Sequence, residues 1–138
     1  MNVTTFGEIW KCFYDNCMVD KATLPQTEEG QYILINSGCM YYNTLIDETE
    51  TKIKCNDLTE LINIKLDDNR LILLANCMRY RFLENELISF EQVWQPFSSE
   101  VGQKNYKAQI DARNFRLETT KKEIGRLLDS IDNMHYLE

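Results

Sequence analysis

Glycine, proline and histidine are scarce in this chain of 138 residues, which contains five glycines, two prolines and one histidine. The glycines do not form the G-x-G-x-x-G or G-x-x-x-x-G-K-S/T patterns whose backbone amides cradle phosphate groups, which excludes these two nucleotide-binding motifs. The single histidine, His135, lies close to the end of the sequence, which argues against a Ser-His-Asp or Cys-His catalytic arrangement. We therefore expect no catalytic residues, no cofactor and no enzyme activity.

Long apolar runs and clustered positive charge are also missing. No stretch reaches the ~18 consecutive apolar residues that indicate a membrane-spanning helix. Residues 1–69 carry 5 Lys and Arg against 12 Asp and Glu, while residues 70–138 carry 10 of each, giving the net charge of −7. Binding to nucleic acid gains affinity when clustered basic residues release counterions, so this composition argues against a nucleic-acid partner.

The cysteines show neither a disulfide framework nor a metal-binding pattern. Their number is odd and no two have C-x-x-C spacing, so we expect free thiols and no metal site. With no hydrophobic signal peptide at the start of the sequence, the pattern predicts a cytoplasmic protein. The five are Cys12, Cys17, Cys39, Cys55 and Cys77.

The residues that are present predict an ordered, single-domain protein over residues 1–138. Hydrophobic residues make up 43% of the chain and aromatic residues 11%, as in globular proteins rather than disordered ones. The length is that of one domain. Leu137 and Glu138 are either native or the start of a cloned tag, so they carry no weight in the fold prediction.

Helices are predicted at both ends of the chain. Thr5-Phe-Gly-Glu8 has the spacing of a capping box, and the apolar residues after it recur with helical period over residues 5–18. Residues 99–133 are also predicted to be helical and contain two interleaved seven-residue series, of which one is entirely aliphatic. The aliphatic series is Ile110, Leu117, Ile124 and Ile131, and the mixed series is Tyr106, Arg113, Thr120, Leu127 and Met134.

The middle of the chain, residues 31–95, is predicted to be rich in β-strands. Short apolar runs alternate there with turn residues such as Asn36-Ser-Gly38, which is typical of hairpins. Residues 87–94 fit either a strand or a short helix. Together with the terminal helices, this pattern predicts an α+β fold with a mostly antiparallel, bent sheet. The predicted strands are residues 32–35, 39–46, 52–55, 61–66, 71–74 and 78–83.

Three segments between residues 30 and 97 resemble pleckstrin-homology and GRAM-like domains. They are "EGQYILINSGCMYY", "TKIKCNDLTELI" and "NRLILLANCMRYRFLENELISFEQVW". The resemblance implies a bent antiparallel sheet or partial barrel capped by a C-terminal helix, which this family uses to bind proteins or phosphoinositides. The lipid-binding members usually place a Lys-x(7–11)-Arg-x-Arg pattern on the first hairpin, whereas the nearest analogue here begins at Arg70 and belongs to a later one.

The favoured function is non-catalytic binding of a protein partner, through the sheet face or the long C-terminal helix. In size, acidity and element order the chain is similar to secretion chaperones and to immunity or phage-encoded inhibitor proteins, so adaptor, chaperone-like and inhibitor roles stay open. The apolar residues of the long helix either pack on their own sheet or contact another chain, including a second copy in a homodimer. The candidate partner-binding residues are Ile110, Leu117, Ile124, Leu128 and Ile131.

The alternative function is binding of an anion or a phosphoinositide through Arg70, Arg79 and Arg81. In a strand, Arg79 and Arg81 point to the same face, and arginines on adjacent strands can hold a phosphate by charge-assisted hydrogen bonds. Contact with a membrane is predicted only through this basic hairpin. The competing interpretation is that these charges simply lie on the solvated face of a strand.

Overall fold

Four α-helices and one small sheet form the part of the chain that the computed structural model describes, which is residues 3–46, 52–97, 99 and 102–136, with side chains up to residue 131. The predicted α+β class and the long C-terminal helix are confirmed. Leu137 and Glu138 lie outside the described residues. The helices are α1 (Phe6–Asn16), α2 (Glu28–Leu45), α3 (Asp68–Trp94) and α4 (Gln103–Tyr136); the strands are β1 (Thr4–Thr5), β2 (Cys55–Asn56) and β3 (Leu61–Ile62).

The N-terminal helix begins where its capping sequence predicts. The Thr5 hydroxyl accepts a hydrogen bond from the backbone amide of Glu8, 3.1 Å away, which satisfies one of the amides left without an intrahelical partner at the start of α1. Phe6, Ile9 and Phe13 are buried on one face of the helix. This face packs against α3 and α2, as the helical period of the sequence requires.

The sheet is antiparallel, with strand order β1-β3-β2, and each strand has two residues. Thr4 pairs with Ile62, and Cys55 pairs with Ile62 from the other side. The Thr4 side chain is buried, donates a hydrogen bond to the Ile64 carbonyl at 3.0 Å and accepts one from the Leu66 amide at 2.9 Å. These bonds join the start of the chain to the segment that leads into α3.

The predicted β-rich core is wrong in its first part, because residues 32–45 belong to α2. The Thr27 hydroxyl caps this helix by accepting a hydrogen bond from the Gly30 amide at 3.1 Å. Gly38, which suggested a hairpin turn, lies at a close crossing of helices instead. A Cβ at this position would overlap Cγ of Met78 on α3, so glycine here permits close helix packing.

The second predicted hairpin is also wrong, because residues 68–94 form the single helix α3. Asp67, predicted to lie in a turn, is its N-cap and accepts a hydrogen bond from the Arg70 amide at 2.8 Å. Asn76 donates a side-chain hydrogen bond to the Ile72 carbonyl at 3.0 Å, so this turn-favouring residue is accommodated inside the helix. A helix buried on several sides has a nearly continuous apolar run, which periodicity alone cannot distinguish from buried strands.

Two of the predicted strands survive as short pieces. The segment predicted at residues 52–55 contains the first residue of β2, and the segment at 61–66 contains β3. Residues 87–94, which fitted either a strand or a helix, are helical. Among the described residues, no helix combines the length and the apolar character needed to cross a membrane.

The central helix α3 divides the molecule into two parts. In the base, α1, α2 and α4 pack on α3; Leu83 is the last buried residue of α3, and Leu117 is the first of α4. In the arm, made of residues 84–97 and 103–116, α3 and α4 continue side by side. No residue in these two ranges is buried, whereas the base contains the hydrophobic core.

Candidate protein-binding surface

From residue 110 to residue 131, members of both seven-residue series of the long helix form the seam between α4 and α3. Residues 110, 113, 117, 120, 124, 127 and 131 alternate steps of three and four, which is the spacing of one packed helix face. Thr120 is fully buried in this seam, and its hydroxyl donates a hydrogen bond to the Arg116 carbonyl at 2.8 Å. The mixed series is therefore part of the packing face despite its polar members.

The five candidate partner-binding residues are split between core and surface. Leu117, Ile124 and Ile131 are buried within this chain, and Leu128 is half-buried against the same core. Ile110 lies in the arm and is half-buried. Burial inside the chain leaves the first three little area for a partner, so a contact surface must be sought nearer Ile110.

The three arginines of the predicted basic hairpin do not form a cluster. They lie on one helix, where Arg79 and Arg81 are two positions and therefore about 200° apart, so they face different sides. Arg70 pairs with Asp67, with Nη1 2.6 Å from Oδ2. Arg81 donates to Ser37 Oγ at 2.9 Å and to Glu84 at 2.7 Å. The hairpin prediction was wrong, and the shared strand face that was to hold the anion is not formed.

Arg79 differs from the other two in having a buried, unsatisfied donor. Its Nε has no hydrogen-bond partner among the described residues. Its positive charge acts to lower the pKa of both Cys17 in the base and Glu123 on α4.

The cysteines are free thiols within the described part of the chain. Burial raises the pKa of Cys17 to about 12, and burial also raises the pKa of Cys77, so neither thiol forms a nucleophilic thiolate at neutral pH. The Cys39 thiol hydrogen-bonds to Cys55, which raises the pKa of Cys39 and lowers that of Cys55. No group of three or more His, Cys, Asp or Glu residues suited to a metal ion occurs among the residues that the structure describes.

Aromatic side chains converge where the arm ends. The Phe90 ring on α3 stacks on Tyr106 of α4, with ring centroids 5.9 Å apart, and lies 6.2 Å from the Trp94 ring. Between the two helices is a cleft of about 400 Å³, which we call the arm cleft. It is lined by Phe90, Trp94, Asn105, Tyr106, Ala108 and Gln109.

The side chain of Arg113 packs against this aromatic cluster. The Arg113 guanidinium lies over the Phe90 ring at 3.9 Å, and its Nε is 4.0 Å from a carboxylate oxygen of Glu86. Nη1 of the same residue donates to the Gln109 side chain at 2.9 Å. These contacts hold Phe90 and Gln109 in place, so the cleft is formed before any partner binds.

Large apolar side chains around the arm cleft remain in contact with water. Trp94 is 43% exposed, and Val93 and Phe97 beside it are more exposed still. Phe90, Val93 and Trp94 lie on one face of α3, and Phe97 follows in the short 3-10 helix Gln95–Phe97. A cleft with aromatic walls and an exposed apolar rim can accept an apolar side chain of a partner protein.

The sequence contains a signal for this surface that our strand prediction obscured. Residues 83, 87, 90, 94 and 97 are all apolar and alternate steps of four and three, as one face of a helix does. Treating residues 71–83 as strands interrupted this series. The cleft also needs Tyr106 and Gln109, and their position opposite Trp94 depends on the helix-to-helix connection rather than on any local pattern.

Comparison with known proteins relates the whole chain to one prophage family. The model of the family described as "YomZ prophage protein" matches residues 1–132. The "SPbeta prophage-derived uncharacterized protein YomZ" of Bacillus subtilis (strain 168) is 33% identical over 126 residues, which cover 91% of this chain and 94% of that relative. No solved structure matches. The resemblance of residues 30–97 to pleckstrin-homology and GRAM-like domains was therefore wrong, since the match spans those residues with a different family.

Proposed function

We propose that this chain, which belongs to the YomZ prophage protein family, is a non-catalytic protein-binding module that acts in the cytoplasm. The arm cleft is its contact surface. Adaptor, chaperone-like and inhibitor roles all require such a surface, and the identity of the bound protein distinguishes them. The observation that carries the proposal is the exposed aromatic surface around Trp94.

The composition of this surface supports binding rather than packing within the chain. The few interface residues whose truncation costs about 2 kcal/mol or more of binding free energy are enriched in Trp and Tyr and cluster near the centre of the interface. Trp94 and Tyr106 line one preformed cleft. Because the cleft walls are already ordered, a partner loses little binding energy in organising them.

Affinity capture with matched variants tests the proposal. Wild-type protein, Trp94→Ala and Phe115→Ala are each immobilised and exposed to a lysate of the source organism, then washed at moderate and high salt. Phe115 is the control because it is an aromatic residue 72% exposed in the same arm but outside the cleft lining. We expect a stoichiometric protein on wild type and Phe115→Ala, reduced by about tenfold or more on Trp94→Ala.

Two results would contradict the proposal. One is wild-type protein that captures nothing at either salt concentration. The other is a bound protein lost equally from Trp94→Ala and Phe115→Ala, since that would separate binding from the cleft. Circular dichroism of each variant provides the folding control, and light scattering shows whether the captured partner is a second copy of the chain.

A further inference from the structure

A second surface lies on the exposed side of α2 and shares no lining residue with the arm cleft. There a groove of about 690 Å³ runs between α2 and the turn that connects β2 to β3. One wall is the face of α2 from Glu28 to Met40, and the other includes Asp57 in the turn. We call it the α2 groove.

Two side-chain hydrogen bonds fix the groove walls relative to each other. Asn36 Nδ2 on α2 donates to Asp57 Oδ1 at 2.9 Å, and the Tyr32 hydroxyl donates to Glu60 at the end of the same turn. The Tyr32 ring also packs edge-on against Phe6 of α1, with centroids 5.1 Å apart. The groove is therefore preformed, which lowers the conformational cost of binding.

The groove is also lined by apolar side chains that the core does not use. Ile33 is 64% exposed and Met40 is 71% exposed. Seven positions apart on a helix, they lie on one face about 10 Å from each other. A single exposed apolar side chain is ordinary, but two that line one groove form a contact surface for apolar side chains of matching spacing.

The rim of the groove is negatively charged. Glu28 and Glu29 form no ion pair with any Lys or Arg in the described ranges. Of the residues lining the groove, three are carboxylates and none is Lys or Arg. The hydrogen bond to Glu60, together with the nearby carboxylates of Glu28 and Asp57, raises the pKa of Tyr32 to about 12.

One cation approaches the edge of the groove without changing this balance. The Arg81 guanidinium donates to Ser37 Oγ at 2.9 Å, and Ser37 lines the groove. The same guanidinium pairs with Glu84 at 2.7 Å, so its charge is offset by a carboxylate outside the groove. The net charge of the side chains that line the groove therefore remains negative.

We propose that the α2 groove binds a cationic, amphipathic segment of a protein partner, with aliphatic side chains on Ile33 and Met40 and Lys or Arg beside Glu28 and Glu29. Charge complementarity selects this occupant, since a nucleic acid or an anionic membrane surface would be repelled. The site is distinct from the arm cleft, and the proposal holds whether or not the arm cleft binds a partner.

Fluorescence anisotropy with defined ligands tests this proposal on the full chain. The probe is a fluorescein-labelled amphipathic peptide of leucine and lysine; a peptide with glutamate in place of lysine and the polyamine spermine are the comparison ligands. The charge variant is Glu28→Gln with Glu29→Gln, and its control is Asp111→Asn with Glu118→Gln, which removes two exposed carboxylates from α4. The apolar variant is Ile33→Gln with Met40→Gln, and its control is Met18→Gln, also at an exposed methionine.

We expect the lysine peptide to bind wild type and both controls equally, and to bind the charge variant and the apolar variant about tenfold more weakly each. The glutamate peptide should not bind. Equal weakening by the charge variant and its control would show attraction to net charge alone and overturn the proposal. If the apolar variant binds the lysine peptide as tightly as wild type does, and spermine competes equally well, the groove is a general polycation site and the proposal is overturned too. If circular dichroism shows lost helicity in the apolar variant, Met40→Gln alone replaces it.

Discussion

The base and the arm are built from the same two helices, yet only the base has a buried core. In the base, α3 is contacted by α1, α2 and α4, and residues such as Leu74 and Cys77 have no contact with water. In the arm, α3 has α4 beside it and no third layer among the described residues. The number of layers, rather than the helix pattern, separates core from surface.

Ile110 and Leu117 show this difference within a single heptad series. Both are aliphatic and lie on the face of α4 that packs against α3, one at each side of the boundary between arm and base. Leu117 is buried and Ile110 only half-buried. Because apolar burial contributes roughly 25 cal/mol for each Å² removed from water, the base supplies most of the folding free energy, and the arm retains apolar area for a partner.

The largest expected effect contrasts one aliphatic residue from each region. Leu74→Ala leaves a cavity at a fully buried position in the base and should lower the free energy of unfolding by about 2–5 kcal/mol. Val93→Ala, at a position 58% exposed in the arm, should change it by less than about 0.5 kcal/mol. Urea denaturation followed by circular dichroism measures both. Similar losses would mean that the arm is as tightly packed as the base.

Two glycine-to-alanine variants, one in a close helix crossing and one in open space, should give smaller changes in the free energy of unfolding. Gly38→Ala would place a Cβ against Met78, overlapping its Cγ and lying 3.1 Å from its Cα, so the crossing of α2 and α3 must widen. We expect a loss of about 1–3 kcal/mol. Gly125→Ala on α4 meets nothing within 4 Å and should gain about 0.5–1 kcal/mol from its better helix propensity. Thermal unfolding of both variants gives the two signs, and a stable Gly38→Ala would refute the close crossing.

The terminal helices could be predicted from sequence because their signals are local. The Thr5 cap and the apolar period of α1 lie within a few residues of each other. The heptad series of α4 is likewise contained within one continuous segment. The middle of the chain carries the same turn residues that hairpins use. Gly38 permits close packing of α2 against α3, and Asn76 donates a hydrogen bond to a carbonyl one helical turn earlier. Neither role can be inferred from the local sequence.

The partner-binding role of the five candidate residues on α4 stays a prediction, although three of the five are buried within the chain. Leu117, Ile124 and Ile131 have the composition of an interface and form an intramolecular one. Only the distance of each from the third layer decides which members of the series stay exposed. Trp94 lies in the segment of residues 87–94 that fits either a strand or a short helix by sequence and is helical in the structure.

Arg113→Met is expected to change the free energy of unfolding least. It tests whether the charge of Arg113 stabilises the arm, where no third layer of helices covers α3 and α4. The ion pair with Glu86 is partly solvated, with side chains 24% and 31% exposed, so it should contribute less than about 1 kcal/mol. Methionine keeps the apolar contact with Phe90 and removes the charge. Unfolding free energies should differ from wild type by less than about 1 kcal/mol, and by less again in 1 M salt, where screening acts within about 3 Å. A loss above about 2 kcal/mol that persists in salt would instead make the pair behave as a buried one, because breaking a buried pair leaves an uncompensated charge. Buried polar contacts would then stabilise the arm, which lacks the third layer of helices that covers α3 in the base.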